Sequence, residues 1–138
     1  MIKKVAYILS FILLTLATAC SKDGGSMLVG EGTVIIAGIV SDKDSNTTLT
    51  DIKIIYEAYS LKGKLIDTKT VYSSSDGTYA IESDGYTTEI NCILKAYDSQ
   101  NAYAVGEIEL NVDWNGSPFN SEDGTFIVNN CNFHLKRL

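Results

Sequence analysis

The sequence is poor in the residues from which catalytic, metal and disulfide sites are built. Among 138 residues there are one histidine, three cysteines, one tryptophan and one proline. Three cysteines are too few for a disulfide-rich scaffold, and no G-x-S-x-G nucleophile elbow is present. The net charge of −6 disfavours nucleic acid as a partner, because that partner is recognised through a basic surface. We therefore expect no enzyme, no metal, no cofactor and no bound nucleic acid.

What the chain does contain is enough apolar sequence for one folded domain. Hydrophobic residues make up 45% and charged residues 20%, a globular composition. The length allows one domain of ordinary size.

The N-terminal end has the pattern of an export signal. Lys3 and Lys4 precede an apolar run at residues 5–16. This run is too short to cross a hydrocarbon core of about 30 Å and is typical of a signal peptide. Small residues at 17–19 lead to Cys20, and the whole resembles a bacterial lipoprotein signal. The resemblance implies cleavage before Cys20 and acylation of that residue. A plain secretory signal beside a free cysteine and an uncleaved membrane anchor are the alternatives.

The chain is accordingly divided into three parts. Residues 1–19 are expected to form a cleaved signal helix, residues 20–32 a lipidated cysteine with a Gly- and Ser-rich flexible tether, and residues 33–138 the folded domain. More than one acyl chain would hold the protein firmly on a membrane. Ser21 stands where an aspartate would signal retention at the inner membrane. The resemblance therefore implies the outer membrane, at its periplasmic face or on the cell surface.

The domain has the short alternating runs of an all-β protein. From residue 33 onward no long stretch has a helical period, and β-rich runs are separated by Gly, Asn, Asp and Ser clusters. The pattern predicts a seven-stranded immunoglobulin-like or transthyretin-like β-sandwich. The predicted strands are residues 34–40, 51–59, 65–72, 78–82, 89–97, 103–112 and 125–136, with turns at 62–64, 75–77 and 84–85 and a loop at 113–124.

Three segments together resemble the carboxypeptidase regulatory-like family. They are residues 37–42 (AGIVSD), residues 49–54 (LTDIKI) and residues 75–81 (SDGTYAI), of which the D-G-T-Y turn is the most specific. The resemblance implies a β-sandwich that serves as a non-catalytic accessory or binding module. The C-terminal half, with residues 132–136 (NFHLK) near its end, is also similar to small lipoproteins encoded beside radical SAM genes, which implies no residue-level chemistry.

One turn has part of a calcium-binding pattern. Asp42, Asp44 and Asn46 have the spacing of the first three ligands of a calcium loop. Thr47 stands where the pattern requires glycine, and Lys53 where it requires a bidentate glutamate. A solvated turn between the first two strands is therefore expected.

The last strand carries the single histidine, and two cysteines lie in the predicted strands. His134 lies between Phe133 and Leu135, so alternation places it on the exposed face. The same alternation turns Cys92 and Cys131 toward the core. An oxidising compartment permits a disulfide between them, and two separate buried thiols are the alternative.

The candidate ligand site is the loop that contains the only tryptophan. Trp114, Asn115 and Phe119 combine aromatic rings with a polar turn, and exposed aromatic faces bind sugars and peptides. The alternative is that an aromatic ring closes one end of the sandwich. The chain is thus expected to be a non-enzymatic binding or accessory module for an envelope protein, peptide or glycan, attached to the membrane through its lipid. The alternative function is an assembly subunit that pairs through an edge strand.

Overall fold

The computed structural model describes residues 27–115, 119–120 and 124–138. The predicted signal helix, Cys20 and residues 21–26 lie outside the described residues, as do residues 116–118 and 121–123 of the predicted loop. In the part that is described, no helix could cross a membrane.

All the regular structure within these ranges is β-strand, which confirms the all-β prediction. The strands are β1 (Met27–Asp42), β2 (Lys53–Ser60), β3 (Leu65–Tyr72), β4 (Thr78–Thr88), β5 (Ile90–Tyr97), β6 (Gly106–Val112), β7 (Phe119–Asn120), β8 (Thr125–Val128) and β9 (Phe133–Leu135).

Two sheets form the sandwich. The first has the order β4-β1-β8-β7, and β9 pairs with the end of β1. The second has the order β3-β2-β5-β6. Strand β1 is antiparallel to β4 along one side, and on its other side it is parallel first to β8 and then to β9. The chain between β8 and β9, residues 129–132, therefore runs beside β1 without belonging to either strand.

The described residues form nine strands where seven were predicted, and three of the differences from the predicted boundaries are the largest. The predicted last strand, residues 125–136, is the two strands β8 and β9. Strand β1 begins at Met27, inside the predicted tether, because its first residues pair with the end of β4. Asp84 and Gly85, predicted as a turn, lie inside β4, where the register shifts and Gly85 has a φ of 90°. A β-bulge, like a turn, calls for a residue that adopts positive φ easily.

The core fills the space between the sheets, because alternate residues of the central strands point inward. Each fully buried large apolar side chain contributes about 1.5–3 kcal/mol, so the strands form a rigid frame for the outer faces. The fully buried side chains include Val34, Ile36 and Val40 of β1, Ile54, Tyr56 and Ala58 of β2, and Ile90, Cys92, Leu94 and Ala96 of β5.

A chain of polar groups crosses this core. The hydroxyl groups of Tyr56 and Tyr86 are 2.9 Å apart, and the Ser83 hydroxyl is 2.6 Å from that of Tyr86. Ser83 also donates to the carboxylate of Asp67, and the Cys92 thiol donates to the Tyr56 oxygen at 3.3 Å. Every member thus has a partner, which removes the penalty of a buried unpaired polar group.

Candidate functional site

Trp114 packs at one end of the sandwich and does not offer its face to a ligand. The residue is only 4% exposed. Its indole N–H donates to the Thr88 carbonyl at 2.7 Å, and its ring meets Phe126 edge-on at a centroid distance of 6.0 Å. The predicted ligand-binding role of Trp114 is therefore corrected, because the ring is already surrounded by its own domain.

The other two residues predicted with Trp114 are not brought into a shared site. Asn115 is exposed, and its backbone N–H donates to the Asp113 carboxylate at 3.0 Å. Phe119 lies in β7, where its backbone is in register with Phe126. A ligand-binding role for Asn115 and Phe119 stays a prediction.

Cys92 and Cys131 are both buried, as alternation predicted, but they are not bonded to each other. They lie on opposite sides of the sandwich: Cys92 is in β5 of the second sheet, whereas Cys131 is in the segment that runs beside β1 of the first sheet. Burial raises the pKa of the Cys92 thiol to about 11 and also raises the pKa of the Cys131 thiol. Of the two outcomes left open, the structure therefore has the two separate buried thiols, and both groups stay protonated and poorly nucleophilic near neutral pH.

The turn after β1 is organised by a buried carboxylate. Asp42 is almost fully buried, which corrects the prediction of a solvated turn at this residue. Its carboxylate accepts the backbone N–H groups of Ser45 and Asp44, at 3.0 and 2.8 Å, and the Tyr103 hydroxyl at 2.7 Å. The guanidinium group of Arg137 lies 3.6 Å from the same carboxylate. These partners, with the Ser45 hydrogen bond foremost, lower the pKa of Asp42 to about 2. The carboxylate therefore holds the C-terminal end against the turn.

No metal-binding cluster of His, Cys, Asp and Glu occurs among the described residues. Because Tyr103 and Arg137 are distant in sequence, no local signal could have revealed the buried role of Asp42.

His134 is exposed, as predicted. Its Nδ1 is 3.1 Å from the Ser41 hydroxyl across the β1–β9 pair. Within the described ranges no carboxylate bonds the ring, so this pair lacks the acid that orients a catalytic histidine.

A surface depression of about 660 Å³ forms where β1, β4 and the end of β3 meet the segment between β8 and β9. Sequence reasoning did not find it. We call it the asparagine depression, after three of the residues that line it. Its main surface side chains are those of Ile39, Tyr72, Thr78, Asn129, Asn130 and Asn132.

Backbone contacts fix one wall of the asparagine depression. The Cys131 N–H donates to the Ala37 carbonyl at 2.9 Å, and the Tyr79 hydroxyl donates to the Cys131 carbonyl. Burial, together with that hydrogen bond, raises the pKa of Tyr79 well above its usual range, so the phenol stays a donor. Both bonds hold the wall against β1.

A close approach at Gly38 completes this wall. A Cβ atom at Gly38 would stand 1.9 Å from the Cys131 carbonyl oxygen, so no larger residue fits without movement. The neighbouring Ile39 N–H donates to the Asn132 side-chain oxygen at 2.9 Å. Asn130 has a φ of 61°, a conformation that asparagine adopts more readily than most residues. The wall is thus preformed rather than assembled by a ligand.

The asparagine depression offers apolar and amide groups without charge. Tyr72 is 59% and Ile39 is 42% exposed, and the amides of Asn129 and Asn130 are also exposed. None of the described residues that line it is Asp, Glu, Lys, Arg or His. Such a surface can bind a neutral molecule that has both apolar and hydroxyl or amide groups.

A second depression, of about 530 Å³, lies on the outer face of the other sheet. Tyr59, Asn91 and Asn111 follow one another across β2, β5 and β6 in register, and Glu109 also lines it. The Tyr59 hydroxyl donates to Glu57 at 3.1 Å. Because it includes a carboxylate, this depression is acidic and suits a different ligand.

The two edges of the second sheet differ in how they are protected. In β3, Asp67 pairs with the buried Ala58 and Lys69 pairs with the buried Tyr56. The side chains of Asp67 and Lys69 are therefore on the face of the sheet that points inward. Inward-directed charges hinder pairing with another chain. In β6 the half-buried Ile108 and Leu110 take the equivalent positions, and they provide no such protection.

No protein-family model matches the chain, and no curated protein matches its sequence. Several solved structures are similar in fold. The major plantain pollen allergen Pla l 1 aligns with a TM-score of 0.54 and 12% identity over 77% of this chain and 94% of the allergen. A 3-chlorocatechol 1,2-dioxygenase from Rhodococcus opacus aligns with a TM-score of 0.50 and 11% identity over 84% of this chain and 62% of the dioxygenase.

A minor pilin of Streptococcus agalactiae is also similar, with a TM-score of 0.45 and 17% identity over 80% of this chain and 46% of the pilin. At such identities the likeness extends to the fold alone. Since an allergen and a dioxygenase share it, the β-sandwich does not select a function.

Proposed function

We propose that this chain is a lipid-anchored module of the cell envelope that binds a ligand and catalyses no reaction. The observation that carries the proposal is the asparagine depression, an uncharged recess with exposed apolar groups on a rigid sandwich. Binding residues are commonly placed on surface segments that a scaffold holds in position. The protonated thiols of Cys92 and Cys131 further support a non-catalytic role.

The anchor is proposed from the lipoprotein signal that ends at Cys20. Seven residue steps separate Cys20 from Met27 at the start of β1, a reach of at most about 25 Å. Gly38 lies eleven residues further along β1, roughly 35 Å at the rise of an extended strand. An anchor at Cys20 would thus leave the asparagine depression at the far end of β1, away from the lipid.

The anchor is tested by cell fractionation and mass spectrometry of the mature N-terminus. We expect the protein in the membrane fraction with an acylated Cys20, and we expect Cys20→Ala to release it. Cys92→Ala is the matched control, because it removes a buried thiol and leaves the anchor intact. An unmodified mature terminus, or membrane retention of Cys20→Ala, would contradict the anchor. Protease treatment of intact cells then separates the cell surface from the periplasmic face.

A second candidate function is assembly through β6, and the unequal protection of the two sheet edges favours it. A partner strand would meet Ile108 and Leu110 rather than an inward charge. Light scattering of the acylated protein in mild detergent tests this candidate. Oligomers that Ile108→Lys dissociates, while Thr70→Lys on β3 does not, would support assembly. A monomer in both the unmodified and the variant protein would exclude it.

A further inference from the structure

We infer that the asparagine depression binds a neutral saccharide. The inference rests on the proposed binding function and names the class of ligand. It draws on four features of the same surface: the apolar platform, the amide groups, the absence of charge among the described lining residues, and the occupied edges of β1.

The apolar platform consists of Tyr72 and Ile39. Tyr72 is the last residue of β3. The connection from β3 to β4 is tight, because the Ser74 N–H donates to the Thr78 carbonyl at 2.9 Å. This tight connection brings Tyr72 to the rim of the depression beside Thr78. Within the described residues the Tyr72 hydroxyl has no hydrogen-bond partner. An exposed aromatic ring with a free polar tip is suited to an amphipathic partner, and the C–H face of a sugar ring is one.

The polar groups are amides. An asparagine side chain presents a carbonyl acceptor and an amide donor side by side, a pattern that matches adjacent hydroxyl groups of a sugar. Asn132 is already oriented, since its carbonyl oxygen accepts the Ile39 N–H at 2.9 Å. Asn129 and Asn130 are exposed beside it. The three amides therefore project from one preformed segment.

The charge of the surface sets the class of saccharide. One-fifth of the chain is charged and its net charge is −6, yet the described lining carries no charged group. A charged ligand would lose hydration here without gaining a countercharge, and an anionic one would also meet the field of an acidic protein. A neutral saccharide avoids both penalties.

The backbone of β1 beneath the depression disfavours a peptide that would pair with this strand. Peptides that add to a sheet obtain much of their affinity from an unpaired strand edge. Strand β1, which runs beneath the depression, has β4 on one side. On its other side the Ala37 carbonyl is bonded to Cys131 and the Ile39 N–H to Asn132. A peptide lying over β1 would therefore find no backbone ladder.

The test is binding of the acylated protein, in detergent micelles, to an array of neutral, amino and anionic saccharides. We expect binding to neutral saccharides. Tyr72→Ala should weaken it by about two- to tenfold, the range that stacking on one aromatic ring contributes. Asn130→Asp tolerates the same backbone conformation and introduces a charge, so it should weaken binding as well. Tyr59→Ala makes the same change in the second depression and should leave binding unaltered.

The outcomes separate the two proposals. Binding confined to anionic or amino saccharides, or abolished by Tyr59→Ala instead of Tyr72→Ala, overturns the saccharide inference. Absence of saccharide binding with Tyr72-dependent binding of a synthetic peptide library overturns the inference and leaves the proposed binding function standing. If no saccharide and no peptide binds in a Tyr72-dependent way, both proposals fail.

Discussion

Replacing Gly38 by alanine should displace the wall of the asparagine depression. The added Cβ would lie 1.9 Å from the Cys131 carbonyl oxygen, whereas ordinary contact begins near 3.4 Å. The wall must then move by about 1.5 Å, the difference between these distances. Such a movement strains the hydrogen bond from Cys131 to Ala37 and the bond from Tyr79 to Cys131.

The expected loss of stability follows from these contacts. Two hydrogen bonds contribute about 1 kcal/mol each in net terms, and overpacking a filled site costs about 1–3 kcal/mol. Gly38→Ala should therefore lower the free energy of unfolding by about 3–5 kcal/mol. For a domain of this size the corresponding fall in Tm exceeds about 10 °C. The same variant should lose saccharide binding.

Urea unfolding of the Cys20→Ala protein, followed by the fluorescence of the buried Trp114, measures this change. Gly63→Ala is the matched control, because its Cβ would meet nothing within 4 Å and only its φ of 88° opposes alanine. That conformation costs about 1–2 kcal/mol. Should Gly38→Ala unfold at the same urea concentration as Gly63→Ala or higher, the close approach of the wall to β1 is refuted.

Three further predictions concern Trp114, two aspartates with lowered pKa values, and the two cysteines. Trp114→Ala should lower stability by about 3–5 kcal/mol, as for other buried tryptophans, when unfolding is followed by circular dichroism; unchanged stability would contradict its packing role. Asp76 lies in the turn before β4, where its carboxylate accepts the hydroxyl groups of Ser74 and of Thr78, the latter at 2.7 Å. These bonds lower the pKa of Asp76 to about 2 from 3.8, the same direction and value as for Asp42. The stabilisation from both carboxylates is therefore present above pH 3.8 and lost as pH falls toward 2. Asp42→Asn should reduce, though not abolish, the fall in the free energy of unfolding as the pH is lowered from 3.8 toward 2. An unchanged dependence of the free energy of unfolding on pH would argue against the Asp42 contacts. When the acylated protein is unfolded in the presence of an alkylating reagent and without a reductant, both Cys92 and Cys131 should be alkylated. A disulfide between them would leave both unmodified.

Alternation made much of the fold predictable from the sequence. The run at residues 89–97 was identified correctly because Ile90, Cys92 and Leu94 alternate with more exposed residues, and the same side chains are buried in β5. The bulge at Asp84 and Gly85 was not, since a turn and a bulge make the same demand on glycine. Which one forms depends on whether β1 continues to pair beyond it.

The candidate site could not be predicted, because its parts are distant in sequence. The segment at residues 129–132 reads locally as part of a strand, and only the close approach of Cys131 to Gly38 shows that it is a wall. Tyr72 joins it through the connection between β3 and β4. The sequence left open whether Trp114 binds a ligand or closes one end of the sandwich for a similar reason: its burial depends on contacts with Phe126 and Thr88, which no local pattern reveals.

The central claim is that the asparagine depression binds a neutral saccharide. Chemical-shift mapping tests it most directly, with the ¹⁵N-labelled Cys20→Ala protein titrated with a mixture of neutral oligosaccharides. We predict saturable shifts at the backbone and side-chain amides of Asn129 and Asn130. Saturable shifts confined to Asn91 and Asn111 in the other depression, or no saturable shift anywhere, would contradict the claim.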